Sequence, residues 1–312
     1  MLGSRLLPVV AASVTVVLWA SAFIVIRAAA PEVSPGPLAL GRMTAGAGAL
    51  TLVVLVRALV RREPLRLPSA RTMVASLLWG AAWFGVYNLA LNTAETRVDA
   101  GTAALLVNLA PVLVGVLAGV LLGEGFPRRL LIGLLVAFSG GAVIAVSTST
   151  GRGDPIGLLL ASLAAVLYAA AVLAQKRLLR DVDALTLTWI GSLAGTAVCT
   201  PFWPELVREG GHASTGSLLA MLYLGLFPTA IAFLLWGWTL SRTTAGRLSA
   251  FTFASPPIAV LLSWLLLGEA PEPAALLGGA VGLAGVAIAT APVRDPIGIA
   301  PDPTGLTRPR SR

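Results

Sequence analysis

Covalent or metal chemistry needs a nucleophile beside a base, paired carboxylates, or clustered His and Cys side chains. This sequence holds almost none of those parts. It has one histidine, His212, and one cysteine, Cys199, too few for a His-rich metal centre or an internal disulfide. Its 14 acidic residues fall in loops, tails or the ends of apolar runs, the deepest being Glu124 and Glu269, each beside a glycine. No GxxxxGK[ST] loop is available to hold a nucleoside triphosphate. Among the polar and aromatic groups inside the apolar runs, Trp19, Trp83, Tyr87, Asn88, Asn108, Tyr168 and Thr252 are the candidates to line a cavity. They can hydrogen-bond and stack on a small neutral or zwitterionic solute, but they have no means of transforming it. The sequence therefore predicts a binding site with no catalytic residue, metal or cofactor.

Spacing indicates how these groups would be presented. Trp79, Trp83 and Tyr87 recur every four residues and share one helix face, with Asn88 and Asn92 forming a second stripe. Trp203, Trp238 and, in part, Trp79 fit an interfacial aromatic belt. Prolines within apolar runs withhold a backbone donor and free a carbonyl one turn earlier. Pro111 would free Val107, Pro228 would free Leu224, and Pro256 and Pro257 would free Thr252 and Phe253. One outcome is a pair of kinked, polar helices facing a cavity; the other is a set of packing kinks, with Asn108 bonded to a neighbouring helix. Arg27 is placed to snorkel toward headgroups. Arg42 lies deeper, where gating or pairing, with Glu32 as a partner, competes with snorkelling. Glu124 and Glu269 read as structural turn contacts.

The elements that must position these residues follow from composition. Of 312 residues, 57% are apolar and only 12% charged, and mean hydropathy is +0.88. Those values exclude a soluble enzyme, a disordered chain and a nucleic-acid binder, despite a pI near 11.1. A helix crosses the hydrocarbon core in about 20 apolar residues. Ten such runs occur, near 6–29, 37–56, 72–93, 99–122, 129–147, 156–175, 184–202, 216–238, 245–267 and 274–291. The alternating segments of a β-barrel are missing. A signal-peptidase site is suggested by Ala20-Ser21-Ala22, but the apolar run continues to Ala30, so the first helix is expected to be retained. Residues 293–312, rich in Pro, Gly and Arg, are expected to form a disordered cytoplasmic tail. With the N terminus inside, 17 of the 22 Lys/Arg residues fall on one side and three on the other. That bias predicts a multi-pass plasma-membrane protein with both termini cytoplasmic. It also explains the basic pI through anionic lipid rather than nucleic acid.

Shifting the chain by 145 residues against itself aligns Gly80 with Gly225, Arg97 with Arg242, Gly101 with Gly246, Pro111 with Pro256, Gly123 with Gly268 and Glu124 with Glu269. Gly133 then meets Gly278, and Gly140 meets Gly285. Five spans per repeat is an odd number, so the second copy must lie inverted, which is a device of transporters. Two halves, 7–148 and 155–291, the W-A-S-A-F-I-V-I-R run from Trp19 to Arg27, and the paired P…GE endings resemble the EamA-like family of the drug/metabolite transporter superfamily. Arg42 fits a basic residue common there. The resemblance implies ten helices around a central cavity and transport, often export, of a small metabolite. A sensor or scaffold without flux, and less readily an intramembrane enzyme, are the alternatives. The stripes Gly115-x-x-x-Gly119 and Gly278-x-x-x-Gly282 permit close helix contact. The first is expected to pack inside the bundle; the second would serve internal packing or a homodimer.

Overall fold

The computed structural model describes residues 2–62, 67–95, 97–98, 100–147, 149, 154–268 and 270–291. The expectations for Glu269, for Arg66 and Arg152 and for the tail from 293 lie outside these residues. Ten described helices are long and apolar enough to cross a membrane. In order they are Leu6–Ala29, Pro35–Arg61, Ala70–Ala94, Thr102–Leu121, Arg128–Ser147, Pro155–Leu178, Ala184–Gly210, Thr215–Leu240, Ala245–Leu266 and Pro273–Thr290. They are called the first to tenth spans below. The seventh outruns its expected end because a short polar helix, Trp203–Gly210, continues beyond a 3-10 turn at Thr200–Phe202.

Contacts between connections sort by face, as alternating spans require. On the face where the first span begins, here the near face, Glu124 accepts from the Ala245 backbone N–H at 2.7 Å. Lys176 Nζ donates to Leu240 O at 2.6 Å, Arg177 donates to Leu121 O at 3.0 Å, and Arg57 pairs with Asp183 at 3.4 Å. On the far face Glu32 accepts from Ser214 N at 2.7 Å, Glu209 from Ser34 N at 2.8 Å, and Arg97 pairs with Asp154 at 2.9 Å. Between the two faces, apolar side chains such as Leu59 and Val60, each 77% exposed, point outward to where lipid would lie.

Small residues set how closely the spans approach. A Cβ on Gly80 would stand 2.2 Å from Gly191 Cα, and one on Gly225 would stand 2.8 Å from Gly46 N. The 145-residue shift carries Gly80 to Gly225 and Gly46 to Gly191. The third span thus packs on the seventh as the eighth packs on the second, and each contact joins the two halves. The fifth and tenth spans interlock similarly. Cβ atoms on Gly140, Gly285 and Gly133 would stand 2.3 Å from Gly282 N, 2.2 Å from Ala137 N and 2.3 Å from Ala289 N. The tenth-span stripe, which the sequence left open to a dimer, is therefore occupied by the fifth span.

Helix interruptions are also paired. A π-helical segment at Ala81–Tyr87 divides the third span, and another at Gly225–Ile231 divides the eighth. The fourth breaks at Asn108, between Ala100–Val107 and Leu109–Leu121, and the ninth passes through a 3-10 turn at Phe251–Ala254. Pro256 and Pro257 sit in the first turn of the restarted helix Ser255–Leu267, and Pro111 in the first turn after Asn108. Donors there have no acceptor in their own helix, so these prolines cost the restarted helices no hydrogen bond, and Thr252 O, expected to be freed, accepts from Ser255 N. Pro228 alone among the four lies within a continuing helix, and there Thr229 Oγ1 donates to the freed Leu224 carbonyl at 2.8 Å. Gly123 and Gly268 close the fourth and ninth spans with φ of +69° and +70°, which accounts for glycine at both positions.

Candidate functional site: an aromatic cluster at mid-depth

Near the midpoints of the first, third and sixth spans, Trp19, Trp83 and Tyr168 converge with Phe233 of the eighth. Ring centroids are 5.4 Å apart for Trp83–Tyr168, 5.9 Å for Trp83–Phe233 and 5.2 Å for Trp19–Phe233. Tyr87 adds its ring 6.1 Å from Tyr168, and Phe84 lies 4.5 Å from Phe233. These separations suit tilted and edge-to-face aromatic pairs. Aromatic side chains therefore meet at mid-depth where these spans converge. A groove of about 750 Å³ lies between the first and eighth spans at the near face, lined by Leu7, Val10, Leu234 and Trp238.

The polar atoms of the cluster can be followed one by one. Trp19 Nε1 donates to Pro228 O at 3.1 Å, in the eighth-span π segment. Asn88 Nδ2 donates to Trp83 O and Phe84 O at 3.2 and 3.0 Å, serving carbonyls of the third-span π segment. Thr252 stands beside Tyr168, but its own hydroxyl donates to Ser249 O at 2.7 Å. The Tyr168 hydroxyl, on a residue only 9% exposed, has Thr252 as its polar neighbour but makes no hydrogen bond of good geometry with any described residue. A buried polar atom without such a bond is uncommon and calls for an explanation.

Other candidates occupy different surroundings. Asn108 lies against the fifth span, where a Cβ on Gly141 would stand 3.1 Å from its Nδ2. Trp79 is 4% exposed and donates to Ala171 O at 3.0 Å, so it is core rather than belt. Trp203 is 57% exposed. The Arg42 Nε donates to Thr229 Oγ1 at 3.3 Å, with Tyr87 and Cys199 also near the guanidinium. Glu32, the partner the sequence suggested, is held at the far face by Ser214, whose backbone N–H lowers the Glu32 carboxyl below the usual carboxylate range. Arg97 does the same for Asp154.

Three participants escaped the sequence argument: Phe233, Gln175 and Thr229. Trp236 is fully buried and donates to Gln175 Oε1 at 3.1 Å, while its ring lies 5.0 Å from Trp19. Gln175 is the only glutamine in the chain and ends an apolar run, a signal that could have been used. Phe233 carries no such mark.

A family model described as the EamA-like transporter family matches this sequence twice, over residues 6–146 and 155–291. The chain belongs to the EamA-like transporter family. Within that family it is similar to the "Probable terminal-alkyne amino-acid exporter" of Streptantibioticus cattleyicolor, at 36% identity over 87% of this chain and 89% of the relative. It is also similar to the "Uncharacterized transporter YdfC" of Bacillus subtilis, at 31% identity over 88% of each protein. A solved crystal structure shares the fold at a TM-score of 0.76 and 23% identity, covering 91% of this chain and 98% of the other. In this EamA-like transporter the aromatic cluster draws on both matched units: Trp19, Trp83 and Tyr87 come from the first, Tyr168 and Phe233 from the second.

Proposed function

We propose that this transporter exports small, partly apolar zwitterionic metabolites across the cell membrane, holding them in the cluster of Trp19, Trp83, Tyr87 and Tyr168. The observation that carries the reading is the Tyr168 hydroxyl, a buried polar atom at mid-depth that makes no hydrogen bond of good geometry among the described residues. A solute reaching it would satisfy the hydroxyl and lie against the neighbouring rings. The amino-acid exporter among the relatives supports a zwitterionic substrate. Asn88, Asn108 and Thr252 are carried forward as further lining residues, and Pro111, Pro228, Pro256, Pro257 and Arg42 as positions where the path bends or is gated.

The mechanism is alternating access between two inverted halves, the near face and both termini being cytoplasmic on the arginine bias. The reciprocal Gly80–Gly191 and Gly225–Gly46 contacts support two equivalent halves able to exchange arrangements. Latches between the halves exist at both ends. On the far face Glu32 holds Ser214 N, and Glu209 holds Ser34 N. On the near face Glu124 holds Ala245 N and Gly246 N. Each latch is a carboxylate on the N-terminal N–H groups of a span in the other half, and breaking it leaves those donors for water to satisfy. Opening one face while the other latch persists exposes the cluster to one side at a time.

The test is a metabolite-efflux screen comparing cells with and without the protein, and with Tyr168→Phe and Trp19→Ala. The proposal expects at least one solute to leave faster with the intact protein and more slowly with either variant at equal membrane abundance. Identical extracellular profiles would favour a sensor or scaffold instead.

A further inference from the structure

We propose that Arg42 is the anchor for a carboxylate on the transported solute, so that the substrate class is a carboxylate joined to an apolar or aromatic body. This rests on the export reading above and deepens it. Arg42 lies seven residues into the second span, about 10 Å below the far end at the α-helical rise. A guanidinium does not lose its proton in a protein, so the positive charge stays. Charges at such depth are rare, face the bundle interior and mark a substrate path. Arg42 follows that pattern. It is directed at Thr229 of the eighth span, with Tyr87 of the third and Cys199 of the seventh within electrostatic reach.

Among the described residues no carboxylate pairs with Arg42. Arg57, Arg97 and Arg208 do pair with carboxylates, all at span ends or in connections. Arg42 is paired only through Nε, at 3.3 Å from Thr229 Oγ1; its two Nη groups have no acceptor among the described residues. Two of the far-face carboxylates, Glu32 and Glu209, are committed to Ser214 N and Ser34 N at 2.7 and 2.8 Å. A planar fork with free donors is matched best by a carboxylate, which it can bind through two parallel hydrogen bonds. Tyr87 connects the fork to the aromatic cluster, since it lies within electrostatic reach of Arg42 and its ring is 6.1 Å from that of Tyr168. An acid group on Arg42 would therefore place the rest of a small molecule among Tyr87, Trp83 and Tyr168. A small inorganic anion would fill the fork but leave the cluster and the Tyr168 hydroxyl unsatisfied.

The experiment compares extracellular metabolite profiles of cells expressing the unmodified protein, Arg42→Lys, Arg42→Gln and Tyr168→Phe, at matched membrane abundance. The exported solutes should carry a carboxylate and an apolar portion. Arg42→Gln should cut their efflux about tenfold or more, as expected for losing a hydrogen bond to a charged group. Arg42→Lys, a point charge without the fork, should fall between. As a measurement independent of variant folding, the exported acid should raise the thermal midpoint of the purified unmodified protein, and its methyl ester should not. Exported solutes that lack a carboxylate, undiminished efflux by Arg42→Gln, or equal stabilisation by acid and ester would each overturn the assignment while leaving export standing. No exported solute at all would overturn export itself, and this assignment with it.

Discussion

Replacing Tyr168 by Phe separates a substrate-binding tyrosine from a structural one, because the two roles predict opposite signs. The substitution keeps the ring and its contacts to Trp83 at 5.4 Å and Tyr87 at 6.1 Å. It removes a hydroxyl that is buried and makes no hydrogen bond of good geometry among the described residues. An unsatisfied buried hydroxyl costs a folded protein about 1–3 kcal/mol. Its removal should stabilise the substrate-free protein by up to that amount, a rise of a few degrees, on the order of 2–4 °C per kcal/mol, in thermal midpoint. Efflux should fall meanwhile, since the solute loses its polar contact. The assay is paired: thermal unfolding of purified protein in detergent without substrate, and efflux from cells at matched abundance. A destabilised Tyr168→Phe with unchanged efflux would refute the reasoning, because it would mean that the hydroxyl serves the fold and not the solute.

Three further outcomes are expected. Gly140→Val should abolish stable insertion, since even a Cβ there would meet Gly282 N at 2.3 Å, whereas Gly48→Ala, with nothing within 4 Å, should leave membrane abundance unchanged; immunoblots of membrane fractions decide it. Single cysteines in a Cys199→Ser background should react with an impermeant reagent from outside near Glu205 and Glu272 and only from inside near Arg62 and Arg180, and external labelling at Arg62 would sink the topology. The Glu32 carboxyl is held below the usual range by the Ser214 N–H, so its contribution to stability is full above the unfolded-state value and lost as pH falls through the folded one; the midpoint difference between the unmodified protein and Glu32→Gln should therefore shrink on acidification, and a pH-independent difference would count against this latch.

The ten spans were legible because a bilayer demands apolar helices of one approximate length, and the sequence obeys that locally. The 145-residue spacing of Gly80 and Gly225, or Gly123 and Gly268, was legible too, though its cause was not. The first pair marks close helix contacts and the second left-handed helix ends. The π segments were hidden because such a segment persists only where something satisfies its displaced carbonyls, as Asn88 and Thr229 do here. Trp79 was misjudged for a related reason: its stripe shows which helix face it shares, but only the packing of the third span against the sixth and seventh shows that this face is buried. The cluster itself was half visible. Trp19, Trp83, Tyr87 and Tyr168 stood out as deep aromatics, whereas Phe233 looks like any lipid-facing phenylalanine until the eighth span is docked. Arg42 was conspicuous by depth, yet its true neighbour, Thr229, lies 187 residues away.

Counterflow in proteoliposomes tests the central claim most directly. Vesicles holding purified protein are loaded with an unlabelled solute from the efflux screen and diluted into a trace of the same solute carrying label. An alternating-access carrier exchanges one for the other, so the label should rise transiently above its equilibrium level and then decay, and Tyr168→Phe should flatten the overshoot. A slow monotonic approach to equilibrium, the same as in protein-free vesicles, would contradict the account.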